Sequence, residues 1–178
     1  SGFYHHTKPS FYYRHYQSRH LWWDDDDLSM IDHFRAQGVL NYQKTRTRLR
    51  FAFDEMKNYT YFATTYTTSD EGRLYNAVAS RQEGDAITLL TAEIAQDFTL
   101  GPLNWETVLT WQKSTKQSVI PVPAINVYTN LYLKFKIAHV LHCDFGADVR
   151  YFTKYTAPDY VPSLGQYAVQ ANSDNVKV

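Results

Sequence analysis

Residues 125–155 read INVYTNLYLKFKIAHVLHCDFGADVRYFTKY, a stretch in which apolar and polar side chains alternate. The mainly apolar series is Ile125, Val127, Thr129, Leu131, Leu133, Phe135, Ile137, Leu141, Cys143, Phe145, Ala147, Val149 and Tyr151. The polar series is Asn126, Tyr128, Asn130, Tyr132, Lys134, Lys136, His142, Asp144, Gly146, Asp148 and Arg150. Because successive side chains of a strand point to opposite faces, this pattern predicts two long strands joined at 138–139.

The length of these two strands separates them from most strands of soluble proteins. A dozen residues exceeds the usual length of about 5–6 residues and matches the ~9–11 residues that a tilted strand needs to cross a bilayer. The alternation alone leaves open whether the apolar face meets lipid or a protein core.

The composition of the chain favours an all-β structure and excludes several classes of protein. The 178 residues suffice for one domain and include 15 Tyr but only 7 Gly and 6 Pro. The 18 basic and 18 acidic residues give zero net charge, so no overall field attracts nucleic acid. No run of about 18 apolar residues exists, which excludes a transmembrane helix. The mean hydropathy of −0.48 is compatible with a membrane barrel, because polar lumen residues offset lipid-facing ones.

Further strands are predicted from the same alternation on the N-terminal side of this pair. They cover residues 10–17, 32–42, 45–55, 86–98 and 103–113, which gives seven strands in an antiparallel meander. An odd number does not close a single-chain bacterial barrel, which has an even number of strands.

The connections between the predicted strands alternate in length. Those at 43–44, 99–102 and 138–139 are short, whereas those near 18–30, 56–85, 114–124 and 154–178 are long. Short periplasmic turns and longer external loops are the layout of an outer-membrane barrel, so we assign the long segments to external loops of a single, partial barrel region. Within 56–85, the segment YTYFATTYTT is able to extend the preceding strand beyond a membrane.

The polar series supplies candidate pore-lining residues. Three arginines at i, i+2 and i+4 form a column of positive charge, which in a barrel would bias the lumen toward anions and in a soluble sandwich would only be the wet face. The candidates are Arg46, Arg48, Arg50, Asn126, Asn130, Lys134, Lys136, Asp148 and Arg150.

Aromatic residues provide candidates for the membrane interface. They are Trp22, Trp23, Trp105, Trp111 and Tyr151. Trp105 and Trp111 are six residues apart, roughly 20 Å along a strand and about 14 Å along the membrane normal. Because the apolar band is about 25 Å tall, we expect one of these two tryptophans to lie inside the band.

Several stretches resemble one known family. They are PSFYYRHYQS, DFTLGPLNWE, WQKS, YTNLYLKFK and GADVRYFTKYTAPDYVPSLGQYAVQ, the last being the most specific. They are similar to the C-terminal half of the putative porin family of Bacteroidetes-type bacteria. The resemblance implies a transmembrane β-barrel in the bacterial outer membrane, in contact with its lipid, that lets solutes diffuse passively. Members of that family continue past the GQYAVQ segment with further strands, so the resemblance implies a partial barrel completed by other segments or subunits.

Two other functions are compatible with the same residues. A soluble ligand-binding β-barrel would turn the apolar faces inward around a small molecule. A non-conducting barrel would serve as a subunit of an outer-membrane complex, with residues 24–27 and 56–85 as its contact surface.

The sequence predicts no enzyme, metal or cofactor. It contains neither a Gly-rich phosphate loop nor a nucleophile elbow. The pairs His5/His6 and His15/His20 have no cysteine or carboxylate at ligand spacing, and Cys143 stands alone. The four aspartates at 24–27 lack the EF-hand pattern and are assigned to a solvated loop.

Overall fold

The chain is an all-β protein of long antiparallel strands, as its alternation predicts; the computed structural model describes residues 1–19, 21–69, 72–138 and 140–170. The strands are β1 (Gly2–Thr7), β2 (His15–Gln17), β3 (Trp22–Asp24), β4 (Ile31–Tyr42), β5 (Thr47–Lys57), β6 (Tyr59–Ser69), β7 (Gly72–Glu83), β8 (Ile87–Leu100), β9 (Leu103–Ser114), β10 (Ile125–Ile137), β11 (Leu141–Phe152), β12 (Asp159–Val161) and β13 (Gln166–Gln170). A short helix, α1, covers Phe11–Arg14. Within the described residues, no helix is both long enough and apolar enough to cross a membrane.

Seven strands form one sheet, here called the main sheet, in the order β1-β4-β5-β8-β9-β10-β11. Every neighbouring pair is antiparallel, and the predicted strands from 32–42 onward all lie in this sheet. The sheet is open, with β1 and β11 at its two edges.

The strand predicted at residues 10–17 is wrong. The backbone turns at Ser10, whose carbonyl accepts from the Tyr13 N–H at 3.0 Å, and α1 follows. Only 15–17 is extended, and it pairs with β3 outside the main sheet. The seventh strand of the main sheet is β1, in a segment without a clear period. The aromatic residues at 12, 13 and 16 suggested a strand, but they are aromatic because they pack against a separate core.

The segment 59–68 does extend the preceding strand, as its sequence suggested. β5 passes into β6 at Asn58, which has a φ of 54°, and β6 pairs with β7 just as β5 pairs with β8. Asparagine tolerates this left-handed conformation better than most residues, and its Nδ2 donates to the Met30 carbonyl at 2.8 Å. Residues 56–85, assigned from sequence to a loop, are therefore largely a β-hairpin that continues beyond the main sheet.

A second unit, here called the cap, consists of α1, β2, β3, β6, β7, β12 and β13. Its four-stranded sheet has the order β12-β13-β6-β7, with β13 parallel to β6. Its buried core is Phe62, Val78, Val161, Leu164 and Ala168, against which Tyr12, Tyr13, Tyr16, Leu21 and Trp23 pack. Burial raises the pKa of the Tyr13 phenol. The long segments 18–30 and 154–170 thus contribute strands and turns to a packed unit.

Residues of the segments 18–30 and 114–124 form hydrogen bonds and ion pairs with the end of β7 and the turn that follows it. The Gln82 amide bonds both backbone groups of Ser29, at 2.9 and 2.8 Å. The Lys116 ammonium lies 3.0 Å from Asp85 and 3.5 Å from Glu83, and the hydrogen bond to Asp85 raises the pKa of Lys116. These contacts fix the ends of residues 18–30 and 114–124 where the main sheet meets the cap.

Candidate functional site

The strand register places most of the polar residues of the main sheet on one face, here called the polar face. One row of paired residues runs Arg50, Glu93, Thr110 and Asn126, and the next runs Arg48, Ala95, Val108, Tyr128 and Arg150. A third row joins Asp97, Glu106, Asn130 and Asp148, and beyond it Lys134 pairs with Asp144 and Lys136 with His142. Eight of the nine candidate lining residues therefore share this face, all except Arg46.

The arginines of β5 are neutralised by a carboxylate on the neighbouring strand. Glu93 lies 2.9 Å from the Arg50 guanidinium and 3.5 Å from that of Arg48. Arg46 is in the turn before β5, with a φ of 53°, and its guanidinium donates to the Thr99 hydroxyl at 2.8 Å. The three arginines thus do not form one column of free positive charge.

The charges of the polar face balance over the described strands. Six basic residues are Arg35, Arg48, Arg50, Lys134, Lys136 and Arg150. Six acidic residues are Asp54, Glu93, Asp97, Glu106, Asp144 and Asp148. Asp54 is buried and holds His33 at 2.9 Å and Arg35 at 3.6 Å. Five of these acids, all except Asp148, were missed as lining candidates, although each lies in the polar phase of its strand.

An open cavity of about 280 Å³ lies on the polar face, between β9, β10 and β11. The Tyr132 hydroxyl donates to Glu106 at 2.7 Å, and the Lys134 ammonium lies 5.2 Å from the centre of the Tyr132 ring. Gly146 faces Tyr132 across the strand pair, and a Cβ there would overlap the Leu131 carbonyl oxygen and the Tyr132 Cβ. Any larger residue at position 146 would therefore have to push the two strands apart.

The opposite face of the main sheet, here called the apolar face, carries large exposed hydrophobic side chains. They are Phe34, Leu40, Tyr42, Phe51, Leu90, Ile94, Phe98, Leu100, Trp105, Leu109, Trp111, Ile125, Leu131, Leu133, Phe135, Ile137, Leu141, Phe145, Val149 and Tyr151. Contiguous apolar patches of more than a few hundred Å² are rare on soluble monomers. A face of this size fits an apolar environment such as lipid.

Three of the predicted interface aromatics lie on the apolar face: Trp105, Trp111 and Tyr151. The Trp105 indole N–H donates to the Thr129 hydroxyl at 2.7 Å, and Thr107 and Thr129 are 3.0 Å apart. An unsatisfied N–H is costly in hydrocarbon. The Trp105 N–H is thus satisfied within the sheet, and the expectation that one of the two tryptophans lies inside the apolar band stays a prediction.

The other two predicted interface aromatics, Trp22 and Trp23, lie in the cap. Trp23 stacks on Tyr16 with ring centres 4.7 Å apart and packs beside Phe62, whereas Trp22 is exposed. The assignment of residues 24–27 entirely to a loop is wrong for Asp24, which ends β3 and lies 2.5 Å from the His15 ring. In the part of the chain that the structure describes, no group of three or more His, Cys, Asp or Glu is placed to hold a metal.

The short turns of the main sheet are staggered along the strands. Tyr42, the last residue of β4, shares a row with Gln96, four residues before the end of β8, and with Thr129, eight residues before the end of β10. Turns displaced in this way lie at one level only if the strands are tilted, as they are by about 35–45° in barrels.

Comparison with known families gives one match. The sequence model of a family described as "Putative porin" matches residues 1–178. The chain matches none of the curated proteins and none of the solved structures with which it was compared. The family match covers the main sheet and the cap together.

Proposed function

Because the chain belongs to the putative porin family, a family of porin-like outer-membrane barrels, we propose that its main sheet forms part of the wall of a channel through which small solutes diffuse passively. The observation that carries the proposal is the division of the sheet into a mainly polar and a largely apolar face. A passive channel performs no chemistry, and we assign no catalytic residue.

The apolar face is the side of the wall that meets lipid. It presents long rows of exposed Leu, Ile, Val, Phe and Trp, and the Trp105 indole N–H on this face is already bonded to the Thr129 hydroxyl. Strands of 11 to 14 residues in β4, β5 and β8–β11 are long enough to cross a bilayer at a tilt.

The polar face lines the water-filled side. Six basic and six acidic residues share it, and the arginines of β5 are paired with Glu93. We therefore assign a hydrated passage of weak ionic selectivity, because mixed charges bind neither sign of ion tightly.

The edges of the main sheet limit how the wall is completed. Strand direction reverses six times from β1 to β11, so the two edge strands run in the same direction. A barrel of antiparallel neighbours therefore needs an odd number of strands between β11 and β1, giving an even total. In a barrel made of two copies related by rotation about the barrel axis, β1 of one copy would lie parallel to β11 of the other, so the strands would not all be antiparallel. Further strands that are not a copy of this sheet complete the wall.

The channel is tested by measuring single-channel conductance and reversal potential in a KCl gradient, with the protein purified from outer membranes and inserted in a planar bilayer. Glu93→Gln frees Arg48 and Arg50 and should shift selectivity toward anions. The double variant Arg48→Ala/Arg50→Ala leaves Glu93 unpaired and should shift selectivity toward cations. Lys8→Ala, which removes a positive charge outside the main sheet, is the matched control and should change neither conductance nor selectivity. Equal selectivity in all four proteins would contradict the assignment of the polar face to the lumen.

A second candidate function is a non-conducting barrel that serves as a subunit of an outer-membrane complex. The cap favours it, because a unit with its own core at one end of the strands offers an ordered contact surface. Insertion into membranes without any conductance would support this function over a channel.

A further inference from the structure

The outward surface of the β2–β3 hairpin in the cap combines two exposed aromatic rings with a polar centre. Tyr16 and Trp23 pair in register and face the core of the cap, so the pairs on either side of them face outward. These are His15 opposite Asp24 and Gln17 opposite Trp22. Phe11 of α1 adjoins this group, with its ring centre 4.7 Å from that of His15. Together they line an open cavity of about 300 Å³.

The two aromatic rings are exposed although a core lies within reach. Phe11 is 68% exposed and Trp22 is 70% exposed, whereas Tyr13 and Trp23, their close neighbours in sequence, pack against Phe62. Trp22 points outward because it alternates with Trp23 in β3. Two large rings that line one cavity and remain exposed to water are the kind of exposed apolar surface that marks a binding site.

The polar centre between these rings is held in place before any ligand arrives. The His15 ring lies 2.5 Å from Asp24 and 3.2 Å from Asp26, and Asp26 lies 3.1 Å from the Arg14 guanidinium. Asp24 remains 60% exposed at its side chain, so its outer lone pairs are free to accept further hydrogen bonds. Such preorganisation lowers the entropic cost of binding.

We propose that this surface binds a neutral saccharide of one or two rings, whether or not the main sheet conducts. A sugar ring has an apolar C–H face that can stack on Trp22 or Phe11 and hydroxyl groups that can bond Asp24 and Gln17. A wholly apolar ligand would strip water from Asp24 and His15 without replacing its hydrogen bonds. Anions are repelled by the aspartates at 24–27. An organic cation gains less here, because His15 and Arg14 already pair with Asp24 and Asp26.

The cavity size agrees with this class of ligand. Its volume of about 300 Å³ is at the lower end of the ≈ 300–1,000 Å³ of small-molecule sites, which suits one or two sugar rings. The cavity is open, so a longer chain of sugars can rest one unit in it.

The test is a titration of the protein in detergent with glucose, maltose, cellobiose and xylobiose. Isothermal titration calorimetry measures the affinity of the parent and of each variant, and tryptophan emission and acrylamide quenching follow Trp22 in the parent. At least one of these sugars should shift the emission to the blue and protect the exposed Trp22 from quenching. Trp22→Ala and, separately, Phe11→Ala should each weaken that binding at least 10-fold. Trp111→Phe, on the apolar face of the main sheet, should leave the affinity unchanged.

Three outcomes would overturn the proposal. One is that none of the four sugars changes emission or quenching. Another is that binding survives in the double variant Phe11→Ala/Trp22→Ala. The third is that choline chloride binds at lower concentration than any of the sugars, which would make this a site for an organic cation. Because Phe11 and Trp22 are exposed, circular dichroism of the variants should match the parent protein and exclude misfolding as the cause of lost binding.

Discussion

The main sheet and the cap are built from similar alternating strands but place their hydrophobic side chains in opposite environments. In the cap, Phe62 is 5% exposed and lies in a core with Val78 and Leu164. In the main sheet, Phe51 of β5 is 54% exposed, although β5 leads directly into β6, where Phe62 lies. The strands β5 and β6 therefore lead from a region whose large hydrophobic side chains are exposed into a region whose hydrophobic side chains are buried.

The difference shows what stabilises each region. The cap depends on burying apolar side chains away from water, as a soluble domain does. Under the proposed function, the main sheet should depend on strand pairing and on an apolar surrounding, because in lipid every backbone polar group needs a partner within the protein. A substitution that removes apolar contacts should therefore affect the cap much more than the main sheet.

The largest effect is expected from Phe62→Ala. It removes a ring that contacts Tyr12, Tyr13 and Trp23, and large-to-small core changes of this type cost about 3–5 kcal/mol. The cap should become sensitive to protease while the main sheet stays resistant, as followed by limited proteolysis in detergent. Phe51→Ala is the matched control and should cost less than about 1 kcal/mol, because its ring faces the surrounding medium. Equal losses for both variants would contradict the distinction between the regions.

A charge on the apolar face should have the next largest effect. Leu109→Arg places a guanidinium in the middle of β9 on the lipid side, where arginine costs about 2–4 kcal/mol near the bilayer midplane. Thr110→Arg differs by one position, lies on the polar face opposite Glu93, and should cost almost nothing. Urea unfolding from lipid vesicles measures both. If Thr110→Arg were the more destabilising variant, the two faces would be assigned the wrong way round.

Close strand packing is tested by Gly146→Ala in the main sheet. The added methyl group overlaps the Leu131 carbonyl oxygen and Tyr132, so β10 and β11 must separate locally, at a cost of about 1–3 kcal/mol. Gly38→Ala in β4 is the control, since a Cβ at Gly38 meets nothing within 4 Å. The free energy of unfolding from vesicles should be lower for Gly146→Ala than for Gly38→Ala. If Gly146→Ala were as stable as the wild type, β10 and β11 would accommodate a methyl group at this position without cost.

The sequence predicted the main sheet well because alternation is a local property of each strand. It failed at residues 10–17, where Tyr12, Tyr13 and Tyr16 pack against Phe62 and Leu164, far away along the chain. It also treated the β5 arginines as free, because Glu93 lies 43 residues beyond Arg50 and only the strand register brings them together. The polar phase of β8 identifies Glu93 as a face residue, but no local pattern reveals its partner.

The smallest effect is expected from Thr129→Val, which keeps the shape of the side chain and removes the acceptor of the Trp105 indole N–H. In lipid the loss should be about 0.6 kcal/mol and no more than about 1.7 kcal/mol, the average and the maximum measured for side-chain hydrogen bonds within a membrane protein. In a detergent micelle that admits water near Trp105, the same variant should lose less, since water can replace the hydroxyl. Comparing unfolding in vesicles and in micelles therefore reports whether Trp105 lies within the hydrocarbon. Equal losses in the two media would place Trp105 at the membrane surface. The apolar band of the main sheet would then end at Trp105 in β9 and would not include the paired leucines Leu100, Leu103 and Leu133, which lie two residues further along.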